Sequence, residues 1–213
     1  MEAEGDAVGV EWPSAVRREL TALGSATLHE AAGQVGALPP AIKPVHPHWT
    51  VCGPAFPVAC APFHNIFIHE AVYAAPRGSV LVVSTDGGHD AGYWGDILST
   101  AASQRGLAGV VLDGGARDSA ALAELDFPVF SRGLAIRGTG KSRSCGAAGT
   151  PVTIGEVTVR AGDLVLGDAD GVVVVPAAQL PRALQAAHTR ARTEEEVVRR
   201  LRAGESSLSI YGF

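Results

Sequence analysis

The 213-residue chain predicts an α/β fold, a layered β/β/α sandwich that ends in a C-terminal helix. Three observations lead there. Two consecutive βα units occupy the middle of the chain, where apolar strands alternate with short amphipathic segments. β-rich stretches flank these units, which sets the pattern apart from a simple doubly wound sheet. A long charged segment, residues 180–203, reads as a helix with a solvated face. With 46% hydrophobic residues the chain can bury one full core, so a single domain over 1–213 is expected.

Taken in order, Pro13-Ser14 opens a helical region over residues 14–36, and the Pro-rich stretch 38–48 follows as a loop. Short strands are expected around 50–53 and 57–59, then a helix near 65–74. Residues 79–84 (SVLVVS) form a buried strand, 87–95 a glycine-rich loop, and 97–105 a helix with Ile97, Leu98 and Ala101 on one face. The next unit repeats the arrangement: 109–112 (GVVL) is a strand, 113–116 a turn, and Arg117-Asp118 opens a helix through Ala120, Leu122 and Leu125. Pro128-Val129-Phe130 is a short strand, and 133–149 a long loop that covers the crevice or a subunit boundary. Residues 152–159, 164–166 and 171–175 supply further strands, with Asp168 and Asp170 in a tight turn.

This layout sets Asp96 near a helix N-terminus and Arg117-Asp118 at the end of the following strand, the place where open α/β sheets bind ligands. A carboxylate at such a terminus ordinarily caps free amides, worth about 1 kcal/mol. An Arg beside an Asp is ordinarily a surface pair worth under about 1 kcal/mol. Their meeting at one crevice favours more, because Gly87, Gly88, Gly92, Gly95, Gly114 and Gly115 leave both loops open to close approach by a small ligand. The amides of Ile97 and Leu98 suit a carboxylate. Arg117 suits a second anion contact or a developing oxyanion, and Asp118 is a hard oxygen ligand for a divalent cation such as Mg²⁺. The set fits a small 2-oxo acid.

Gly95-Asp96, twenty intervening residues, then Arg117-Asp118 resembles the signature of the class II pyruvate aldolases of the 4-hydroxy-4-methyl-2-oxoglutarate / 4-carboxy-4-hydroxy-2-oxoadipate aldolase type. These RraA-like proteins share their fold with the regulator of ribonuclease activity A. The likeness extends through 27–31 (TLHEA), 53–55 (GPA), 65–71 (NIFIHEA), 161–165 (AGDLV) and 167–176 (GDADGVVVVP). It implies a swivelling, phosphohistidine-domain-like sandwich. It also implies that Asp118 coordinates Mg²⁺ or Mn²⁺, that Arg117 binds the keto or enolate oxygen of the pyruvyl unit, and that Asp96 positions water at the reacting centre. Gly95, Ile97 and Leu98 would hold the substrate carboxylate. Glu194 of a neighbouring subunit is the match for a further catalytic residue, although a solvated face is the plainer reading of Glu194-Glu195-Glu196. The implied assembly is a homotrimer, or a hexamer of two trimers, with sites at the subunit interfaces. The implied reaction is a divalent-metal-dependent retro-aldol cleavage of a 4-hydroxy-2-oxo acid to pyruvate, with oxaloacetate decarboxylation as a side activity. Two alternatives stand beside it: a protein-binding regulator without catalysis, whose branch departs from the pattern where Asp118 stands, and a relative performing enolate chemistry on another acid. One departure is local: His64 precedes Asn65 where the family commonly carries Asp.

Other classes are disfavoured. A net charge of −5 without a basic run speaks against nucleic-acid binding. The three cysteines lack CxxC spacing, so neither a disulfide framework nor a zinc ribbon is indicated, and they read as reduced residues of a cytoplasmic protein. The N-terminal stretch is acidic where a signal peptide would be basic and then apolar, and no apolar run approaches the ~20 residues of a membrane span. The only lysines, Lys43 and Lys141, sit in no recognisable nucleophile setting, which disfavours an imine route. His89 is a further candidate for substrate contact, whereas His46 and His48, flanking Pro47, read as loop residues. Arg137, Lys141 and Arg143 are candidate anion ligands whose plainer reading is solvated loop charge.

Overall fold

Gly24, with φ of +81°, breaks the N-terminal helical region into α1 (Ser14–Leu23) and α2 (Ser25–Ala31). The positive φ is one that glycine alone adopts without penalty. The computed structural model describes residues 12–213. The acidic N-terminal stretch read above lies largely outside the described residues.

Within the Pro-rich stretch only Lys43–Pro44 pairs, as β1. The two short strands expected next are one ten-residue strand, β2 (Val51–Cys60). Pro54 stands where its antiparallel pairing with a later strand over 51–54 ends and parallel pairing over 55–59 begins, and Pro57 stands just before a further antiparallel pairing that starts at Val58. Gly53 sits within it because a Cβ would stand 2.5 Å from the Gly78 carbonyl oxygen. Then follow α3 (Ile66–Ala74), β3 (Val80–Ser84), β4 (Gly92–Trp94), α4 (Asp96–Gln104), β5 (Gly109–Ala116), α5 (Ser119–Leu125) and β6 (Val129–Leu134). Residues 113–116, expected as a turn, continue β5, where Gly115 and Ala116 pair with both β4 and β6. Their glycines serve close packing: a Cβ on Gly115 would stand 2.6 Å from that of Ala135 and 2.7 Å from the Ala91 oxygen.

The remainder comprises β7 (Gly146–Ala148), the hairpin β8 (Val152–Ile154) and β9 (Val157–Val159), β10 (Leu164–Asp168), β11 (Gly171–Val175), α6 (Leu180–Arg202) and α7 (Ser207–Tyr211). The main sheet runs β1-β6-β5-β3-β2-β10-β11, with β4 on β5 and β7 on β2. β2, β3, β5 and β6 are parallel neighbours, and the outer pairs are antiparallel. Lys43 Nζ donates to the Asp170 carbonyl, which brings β1 to the β10–β11 turn and nearly closes the sheet on itself.

Ile68, Val72, Leu98 and Leu122 of α3, α4 and α5 join the strands in one core, to which the β8–β9 hairpin adds Val152, Ile154 and Val159 as a second β layer. Leu20, Leu28, Ala183 and Ala187 of α1, α2 and α6 pack in a smaller cluster on Leu164, Leu166, Val173 and Val175. This is the expected layered sandwich with its C-terminal helix. Burial pushes the thiols of Cys52 and Cys60 up to about 11 and about 12, which leaves both inert as nucleophiles.

Candidate active site

The side chain of Trp94 anchors the first βα mouth. Its ring is fully buried and stacks on Phe127 with centroids 5.9 Å apart, and its indole N–H donates to Ser99 Oγ at 2.6 Å in the first turns of α4. Its carbonyl accepts the Arg117 amide at 2.9 Å, so the end of β4 is tied to the end of β5. That crossed tie brings Gly95-Asp96 and Arg117-Asp118, separated by twenty intervening residues, into one place.

Asp118 lies between β5 and α5 with φ of +61°, a left-handed conformation that Asp tolerates better than most residues. Its Oδ2 lies 3.4 Å from the Asp96 amide nitrogen and 3.6 Å from Arg117 Nε. Gly95 is required by this approach, since a Cβ there would stand 2.2 Å from the same oxygen. Asp96 occupies the first helical position of α4, and its Oδ1 accepts the Ile97 N–H at 2.7 Å. In the free chain that amide, expected to receive a substrate carboxylate, is thus engaged by the protein's own carboxylate. Asp96, Arg117, Asp118, Ser119, Leu134, Ala135 and Ile136 line a cavity of about 520 Å³. Leu134 and Ile136 stand exposed at its rim, and Ile97, next to Asp96, is exposed as well.

The structure therefore gathers Asp96, Arg117 and Asp118, with Gly95, Ile97 and Leu98 beside them. It does not bring Glu194 to them within one chain. Glu194 pairs with Arg190 at 2.8 Å and lines a separate groove of about 540 Å³ with Ala22, Leu23 and Thr27. His89 lies 3.5 Å from the buried Asp113 carboxylate, which also receives Arg132 Nε at 2.6 Å.

The donor set fits a hard divalent cation. No cluster of three or more His, Cys, Asp or Glu suited to a metal occurs among the described residues. Mg²⁺ needs none, because it commonly takes one or two protein carboxylates and keeps its waters. The Asp118 carboxylate is partly exposed, and its contacts of 3.4 and 3.6 Å are long enough to yield to a ligand at coordination distance.

A second group of residues adjoins the site. Asn65 is buried; its amide nitrogen donates to the Tyr93 carbonyl at 2.9 Å and its oxygen accepts Lys141 Nζ. Burial, and then the charge of Arg117, hold the Lys141 ammonium below the usual lysine range. The Tyr93 hydroxyl accepts the Phe63 amide at 2.6 Å and donates to the Gly88 carbonyl at 2.7 Å. In the sequence Lys141 reads as a candidate anion ligand or a solvated loop cation in no nucleophile setting, and Tyr93 is not singled out. An aromatic pair between two glycines, GYWG, is the one local signal of a packed joint.

The sheet nearly closes, and carboxylates and a guanidinium stand at the C-terminal ends of its parallel strands, the place where open α/β sheets bind ligands. The family model described as RraA-like, Aldolase/RraA, matches residues 21–174. A putative 4-hydroxy-4-methyl-2-oxoglutarate aldolase of Halalkalibacterium halodurans is 38% identical over 154 residues, covering 72% of this chain and 73% of its own. Streptomyces coelicolor RraAS2, an unusual member of the RNase ES inhibitor RraA protein family, superposes with a TM-score of 0.76 at 29% identity, over 88% of this chain and 98% of its own. An uncharacterized protein from Pseudomonas syringae pv. tomato does so with a TM-score of 0.77 at 30% identity, over 92% and 96%. The chain belongs to the RraA-like, Aldolase/RraA, family.

Proposed function

We propose that the protein is a divalent-metal-dependent lyase that cleaves a 4-hydroxy-2-oxo acid to pyruvate by a retro-aldol reaction. The observation that supports it is the convergence of Arg117 Nε and the Asp96 amide on the Asp118 carboxylate, at 3.6 and 3.4 Å, in one open cavity. The putative aldolase from Halalkalibacterium halodurans points the same way.

In such a cleavage a base takes the proton of the C4 hydroxyl, the C4–O pair becomes a carbonyl, and the C3–C4 bond breaks. The released pair forms the C2–C3 double bond and leaves its charge on the C2 oxygen; protonation at C3 then gives pyruvate. Arg117 places a fixed positive charge where that oxyanion develops. The substrate's 2-oxo carboxylate takes the Ile97 and Leu98 amides at the start of α4. To do so it displaces the Asp96 carboxylate from the Ile97 N–H, and Asp96 turns toward the reacting centre to handle the proton there. Asp118, with Asp96 next to it, would hold the cation. When bound, Mg²⁺ or Mn²⁺ supplies the Lewis acid that draws charge onto the 2-oxo oxygen. The same enolate forms when oxaloacetate loses carbon dioxide, so decarboxylation belongs to the proposal.

The test is pyruvate release from 4-hydroxy-4-methyl-2-oxoglutarate and from oxaloacetate, coupled to lactate dehydrogenase, with Mg²⁺, Mn²⁺ or EDTA. Metal-dependent release is expected. Absence of release from both acids by metal-loaded protein would overturn the proposal and favour a regulator that binds a protein partner. Borohydride trapping with pyruvate checks the imine route, and no adduct at Lys141 is expected.

A further inference from the structure

Residues 137–143 form a strap that runs from the candidate site to α3 and is fastened by backbone hydrogen bonds and by polar and charged side chains. At its start the Arg137 carbonyl accepts the Gly92 amide at 2.8 Å, and the Arg137 guanidinium lies 4.1 Å from the Phe63 ring centroid. In its middle Gly140 donates to the Phe63 carbonyl at 2.7 Å and accepts from the Asn65 amide at 3.2 Å. One further fastening is of a different kind: the Ser142 amide donates to His64 Nδ1 at 3.0 Å. A backbone N–H can only donate, so Nδ1 must present a lone pair and the neutral ring carries its proton on Nε2. A protonated imidazole would set N–H against N–H.

Charged groups crowd the surroundings of the ring. From the strap, Lys141 and Arg143 face this region. From α3 come His69, whose Nε2 is 3.3 Å from Lys141 Nζ, and Glu70, which is paired with Arg143. From β4, the Tyr93 hydroxyl is committed to the Gly88 carbonyl. Burial, and then Lys141, already hold the His69 imidazole below the usual histidine range, as expected where cations crowd.

We propose that His64 is a positioning residue: its neutral imidazole clamps the strap at Ser142, so that Lys141 stays on Asn65 as a second cation next to Arg117, and protonation of His64 releases the strap. Its effect on turnover rests on the lyase reading of the cavity; its effect on the strap does not. The consequence is an acid-side loss of substrate affinity set by a residue that touches no substrate.

The experiment follows the Ser142 amide by ¹H–¹⁵N NMR and hydrogen exchange from pH 8 to 5 in wild type, His64→Asn and His64→Leu, beside the His64 ring proton. In wild type, Ser142 protection should fall with the same midpoint as the ring titration. His64→Asn should keep protection throughout, because its amide oxygen stands where Nδ1 stood and does not titrate. His64→Leu should exchange rapidly at every pH with an unchanged melting profile. In kinetics, KM should rise about three- to ten-fold on the acid side in wild type, the scale of one lost hydrogen bond, with kcat little changed and the rise absent in His64→Asn. Ser142 protection that ignores the His64 charge, or survives in His64→Leu, overturns the proposal. If protection follows the ring but neither acid yields pyruvate, the clamp stands and the lyase reading fails.

Discussion

At the residue scale, the candidate site depends on one left-handed backbone conformation and one close approach. Asp118 sits at φ of +61°, so the informative variant is Asp118→Asn, which tolerates that region and removes only the charge. It should abolish the Mg²⁺ response of pyruvate release, a loss of about 10²-fold or more, with a melting temperature close to wild type by calorimetry. Gly95 is a separate case. Its φ of −156° is open to any residue, so Gly95→Ala meets no backbone penalty; the added methyl group instead falls 2.2 Å from Asp118 Oδ2. A side-chain end moves at little cost, so we expect a stability change below about 1 kcal/mol together with turnover reduced as far as in Asp118→Asn. Parallel calorimetry and steady-state assays would show whether the two effects separate.

At the element scale, Asp168 ties α2 to the β10–β11 turn. Its carboxylate accepts the Ser25 amide at 2.7 Å, the Ser25 hydroxyl at 2.6 Å and the Asp170 amide at 3.0 Å. Burial acts to raise its pKa, but the hydrogen bonds from Ser25, Asp170 and Gly171 outweigh it and leave the group below the usual carboxylate range. Its stabilisation is therefore present above that range and lost as pH falls through the lowered value. Asp168→Asn should cost about 1–2 kcal/mol near neutral pH, and urea titrations at falling pH should show the gap to wild type closing. This tie was not legible in the sequence, where Asp168 reads only as a turn residue, because its partner lies 143 positions away. The elements of the βα units were legible, since apolar runs and helix starts are local signals. The end of β5 was misread: Gly114-Gly115 signals a turn to a local reading, and only the close approach of Ala91 and Ala135 shows why a strand needs glycine there. For the site, the spacing of Asp96, Arg117 and Asp118 was legible, whereas Asn65, Tyr93 and Lys141 meet through pairing that no local pattern encodes.

At the scale of the whole molecule, no helix among the described residues is long and apolar enough to cross a membrane. Among the described residues, exposed large apolar side chains include Ile97, Leu134 and Ile136 near the cavity and Leu208, Tyr211 and Phe213 at the C-terminal end. Such surface suits burial between copies, and we expect light scattering to give three or six times the 21.8 kDa chain mass, the trimer or hexamer that the family resemblance implies. Thiol titration should find one reactive cysteine, the exposed Cys145, and two that respond only on unfolding. β2 has a further consequence. It pairs with β10 over 51–54, with β3 over 55–59 and with β7 over 58–60, so the parallel and antiparallel parts of the sheet share one strand. Its amides should be among the last to exchange with deuterium, since freeing them takes both parts of the sheet apart. A chain cut in the turn before β10 would yield a larger fragment with a bare strand edge, prone to self-association, and the fold should return only when the two pieces are mixed.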